Sequence, residues 1–90
     1  MTRVSFYAPL QTVVHGMPYD GVAEITASGF RFSITREHGG GLICMMLCVS
    51  PPLEILVIVE GHQRLGHITG CAHLGDMFEI TIALPVEQYE

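Results

Sequence analysis

Ninety residues, 49% of them apolar and 14% charged, exclude a disordered chain, because that much apolar surface can repay the entropy of ordering a backbone; the length leaves room for one core, so residues 1–90 are expected to form a single domain. A formal net charge of −5, with four arginines and no lysine, excludes a DNA- or RNA-coating role, which needs many cations to neutralise phosphates. The longest apolar runs, 42–49 and 55–59, fall well short of the roughly 20 residues that cross a bilayer, and the N-terminal stretch lacks the basic-then-apolar pattern of a secretory signal, so no membrane insertion and a cytoplasmic location are expected.

In chain order, Leu10–His15 and Val22–Thr26 read as strands, joined into a hairpin by the turn-forming Gly16-Met17-Pro18-Tyr19-Asp20-Gly21. Phe30–Arg36 alternates apolar and polar side chains, placing Phe30, Phe32 and Ile34 on a core face and Arg31, Ser33 and Thr35 on the other. Leu42–Val49 lies between Gly39-Gly40-Gly41 and Pro51, which leave about two helical turns, and reads as a strand. Leu53–Glu60, rich in Ile and Val, reads as a strand buried on both faces. Leu65–Leu74 contains two glycines, the mark of a strand that bends or bulges. Phe78–Leu84 has the clearest period of two, which adds Ile80 and Ile82 to a core that also takes Ile55 and Val57. Short strands with turn signals between them predict an all-β fold, a small antiparallel β-barrel of five to seven strands.

The side chains that could carry chemistry are few. Three cysteines, an odd number, argue against a disulfide framework and for buried thiols in a reducing compartment. Cys44, Cys48 and Cys71 with His73 have the ligand types of a Cys3His zinc or copper module, but their apolar setting offers few partners to orient a ligand, so core thiols and no metal are expected. The five histidines, at 15, 38, 62, 67 and 73, stand mostly beside glycine at strand ends or turns. No Gly-x-Ser-x-Gly or paired-carboxylate motif is present, and Gly39-Gly40-Gly41 lacks the lysine and hydroxyl of a phosphate loop. A binding module is the expectation, not an enzyme.

The segment from Val22 to Phe32 carries Glu24-x-Thr26-x-x-Gly29, an acid, a hydroxyl and a glycine between two strands. It resembles the Asp-x-Ser-x-x-Gly motif of the PilZ family, small β-barrel domains that bind cyclic di-GMP. The chemistry is intelligible: carboxylate and hydroxyl can bond a guanine edge, while glycine permits a turn of positive φ. The family's other motif is Arg-x-x-x-Arg, and Arg3, 21 positions before Glu24, matches its second arginine. The first would fall before Met1. The resemblance implies a PilZ-like barrel with ligand contacts from Arg3, Glu24, Thr26, Gly29 and the neighbouring Arg31, weak or absent cyclic di-GMP binding, no other cofactor, and a signalling output through a protein partner. Two other readings stand beside it: an interaction or inhibitor module on an unrelated small barrel, acting through an acidic surface or a strand edge, and the Cys/His metal module. Whether the chain forms a homo-oligomer is left open.

Overall fold

The structure is a computed structural model that describes residues 2–14, 16–49 and 52–85. Six strands, β1 (Thr2–Tyr7), β2 (Tyr19–Ile25), β3 (Gly29–Thr35), β4 (Leu53–Val59), β5 (His62–Leu74) and β6 (Met77–Ala83), form a closed barrel in the order β1-β2-β3-β6-β5-β4. Every pairing is antiparallel, and β1 meets β4 through Val4↔Val59 to Tyr7↔Leu56 to close it. One helix, α1 (Gly40–Val49), joins β3 to β4, and 3-10 turns cover Leu10–Val13 and Arg36–His38. No helix of the described residues is long and apolar enough to cross a membrane.

The period of two in the sequence becomes the barrel's inside and outside. Phe30, Phe32 and Ile34 of β3 and Phe78, Ile80 and Ile82 of β6 all face inward and are buried, with Ile55, Val57, Ile68, Val4 and Phe6 completing the same cluster. Phe6 sits at its centre, edge-on to Phe32 at 5.0 Å and stacked with Tyr19 at 5.3 Å between ring centroids. Burial raises the Tyr19 pKa, since the phenolate would lose its water. A register shift between Ile68 and Gly70 bulges β5 at the second of its two glycines, in the strand where the sequence predicts a bend or bulge.

Three local expectations are corrected. The strand expected at Leu10–His15 is a 3-10 turn over Leu10–Val13, with His15 outside the described residues; the hairpin partner of β2 is instead β1, through Thr2↔Ala23 to Phe6↔Tyr19. Leu42–Val49 is helical: the Ile43 N–H donates to the carbonyl of Gly39, which turns the chain at φ 103° and starts the helix. β4 is buried on one face only. Its outer residues Glu54, Leu56 and Ile58 are exposed or half-buried, because a closed barrel of one layer has a wet outside. Pro51, read as a boundary, also lies outside the described residues.

Candidate functional site

The five residues singled out from the sequence lie on β1, β2, β3 and the connection between the last two, but they fall into separate groups. Arg3, on the outer face of β1, opposes Val22 and turns to Asp20, with its guanidinium 3.0 Å from the carboxylate; the Ser5 hydroxyl donates to the other oxygen at 2.9 Å. These two donors hold the Asp20 carboxyl below the usual carboxylate range. Glu24 opposes Arg31 across β2 and β3, at 3.2 Å, and Arg31 reaches Glu79 of β6 at 3.4 Å on its other side. All of these side chains are substantially exposed.

Thr26 and Gly29 build the turn between β2 and β3. The Thr26 N–H donates to the Gly29 carbonyl at 2.9 Å, and the Thr26 hydroxyl accepts from the Gly29 N–H at 3.1 Å, so the hydroxyl closes the turn where a second backbone bond would otherwise stand. Gly29 is not in the left-handed region, which corrects the reason given for it above; positive φ among the glycines belongs to Gly39, Gly61 and Gly75. Gly29 is required because a Cβ there would collide with the Ile82 carbonyl of β6, and the Ser28 carbonyl accepts from the Leu84 N–H at 2.8 Å beside it.

This turn forms one lip of the barrel's open mouth, a cleft of about 580 Å³ with Ile25, Phe30, Val59 and Leu84 as its apolar lining and Thr26, Ser28, Glu60 and Arg64 at its rim. Glu60 is held at φ 51° in the tight turn between β4 and β5. Arg64 donates to the Pro85 carbonyl at 3.4 Å. The volume suits a small organic ligand or one end of a larger one. Asp20 and Glu79, which pair with Arg3 and Arg31, are not legible in the sequence as site neighbours, because only strand register brings positions 17 and 48 residues apart onto one face.

The expected core thiols are also corrected. Cys44 of α1 and Cys71 of β5 are joined in a disulfide, and Cys48 is a free, exposed thiol. The odd count thus resolves into one bridge and one spare, and the Cys3His set is broken up by it. Among the described residues no group of three or more His, Cys, Asp or Glu is placed to hold a metal ion. At the end of the barrel opposite the mouth, Arg36 meets His73 at 3.2 Å, His73 stacks on Phe78 at 4.5 Å, and Thr35 bonds His38.

What fold and site define is a small closed antiparallel barrel with a polar outer stripe over β1, β2, β3 and β6 and an open apolar mouth. Searches of protein-family models, curated proteins and solved structures give no match to this chain.

Proposed function

We propose that this chain is a non-enzymatic, cytoplasmic signalling adaptor of PilZ-like type, which takes cyclic di-GMP weakly or not at all and delivers its output through a protein partner. The observation that carries the reading is the position of Glu24-x-Thr26-x-x-Gly29: it spans the β2–β3 connection of a small barrel, with Arg3 on the next strand and Arg31 beside Glu24. Weak binding follows from the same contacts. A doubly charged ligand must compete with Asp20 for Arg3 and with Glu24 and Glu79 for Arg31, and the Thr26 hydroxyl already accepts a hydrogen bond. Glu24 also carries one methylene more than the family's aspartate, and costs more rotamer entropy to fix.

Calorimetry tests the reading. A variant with an arginine placed four positions before Arg3 in an N-terminal extension, combined with Glu24→Asp and Thr26→Ser, should bind cyclic di-GMP about ten- to a hundred-fold more tightly than the native chain, the worth of one charge-assisted hydrogen-bonding partner. Tight binding by the native chain would refute the occupied-site argument, and no gain on repair would count against a PilZ-like site. The second reading, an interaction module on an unrelated barrel, is favoured by one observation: α1 turns Leu42, Met45 and Val49 outward, an apolar stripe at helical spacing that needs no nucleotide to engage a partner.

A further inference from the structure

α1 lies at the end of the barrel away from the mouth, with Gly39 against the Tyr19 ring and Gly40 against Phe78. Its noncovalent hold is thin. In ten residues Ile43 is the one side chain buried from water; Cys44, Met46 and Leu47 pack partly against the core, and Leu42, Met45 and Val49 are 55%, 67% and 85% exposed. A helix shorter than about 12 to 15 residues is marginal without tertiary support. The bond from Cys44 to Cys71, 27 residues apart in sequence, is therefore a principal anchor of the helix. Both of its cysteines are half-buried rather than sealed in the core. The barrel does not depend on it in the same way, since its ring of strand pairings closes from β1 to β4 without any part of α1.

We propose that the Cys44–Cys71 disulfide is a thiol-exchange site that latches α1 over this end of the barrel, and that a small thiol releases the helix while the six strands stay folded. The co-reactant is a low-molecular-weight thiol, two per turnover. The first thiolate attacks one sulfur of the bridge, the Cys44–Cys71 bond breaks, and the displaced cysteine leaves as a thiolate that takes up a proton. The second thiolate attacks the resulting mixed disulfide, frees the other cysteine as a thiol and departs as the oxidised small disulfide. The protein gains two electrons and two protons. Release uncovers the apolar ground beneath the helix, Ile43's own site and the Phe78 ring among it, and so changes which surface a partner meets. One supporting consideration rests on the cytoplasmic reading above: in a thiol-buffered compartment a bond of this kind forms and breaks with redox state rather than persisting.

Hydrogen exchange on the full chain, oxidised and after treatment with dithiothreitol, decides the matter independently of nucleotide binding. Intact mass should first show one disulfide, mapped to Cys44 and Cys71. On reduction, amide protection across α1 should fall about 30-fold or more, the lower end of what a cross-link contributes, while β3 and β6 stay within about threefold of the oxidised protein. Cys71→Ser should reproduce the reduced state without reductant. Cys48→Ser, which removes the third thiol, should respond to reduction as the parent does. Unchanged protection in α1, or equal loss in α1 and the strands, would overturn the latch. A Cys48→Ser protein that no longer released its helix would assign the effect to shuffling through Cys48 and overturn it too.

Discussion

In β6, Phe78, Ile80 and Ile82 all point into the barrel and are shut off from water, held between β3 on one side and β5 on the other. In α1, ten residues without a charged or hydroxyl-bearing side chain bury Ile43 and leave Leu42, Met45 and Val49 in solvent. The helix is the more uniformly apolar of the two and the less buried. Burial here follows the match between the sequence period and the geometry of the element, since a strand with every second residue apolar presents its whole apolar set to one side. A segment that is apolar all round has no such side, and what it buries is decided by what it happens to meet.

The sharpest way to break this comparison is a pair of truncations. Ile80→Ala should destabilise the protein by about 2 to 5 kcal/mol, the cost of a large-to-small change in a closed core, whereas Met45→Ala should stay within about 0.5 kcal/mol. Urea denaturation of both variants checks it, and similar losses would mean that α1 is covered in solution. Next in size is Gly29→Ala, where the added methyl meets the β6 backbone rather than a yielding side chain; a loss of about 1 to 3 kcal/mol is expected by the same measurement. Near-native stability would show that β3 and β6 separate there at little cost, and would weaken the account of why the motif ends in glycine.

The smallest effect concerns the polar outside. Asp20 is held below the usual carboxylate range by Ser5 and Arg3, so its contribution to stability is fully present above the unfolded value, about 4, and is lost as pH falls through the lower folded value. Thermal midpoints of the native chain and Asp20→Asn, compared between about pH 5 and 2, should converge at the acid end. A constant gap over that range would show that Arg3 and Ser5 do not favour the charged carboxylate.

Much of the barrel was legible beforehand because strand pattern is local. The alternation in Phe30–Arg36 and Phe78–Leu84 is enough to name Phe30, Phe32, Ile34, Ile80 and Ile82 as core, and the glycines at 66 and 70 are enough to foresee a bulged strand. Leu42–Val49, an unbroken apolar run, has no period to distinguish strand from helix, and the helix is fixed by the turn at Gly39 and the contacts it makes beyond.

The candidate site divides in the same way. Sequence by itself determined that an acid, a hydroxyl and a glycine would flank one connection between strands, because those positions are near neighbours along the chain. Tertiary structure decided what they do. Register across β1, β2, β3 and β6 hands Arg3 to Asp20 and Arg31 to Glu24 and Glu79, the close approach of β6 gives Gly29 its reason, and the fold of β5 beside α1 turns two of three cysteines into a bond. Each of these joins residues far apart in sequence, and such distances close only when the whole chain has folded.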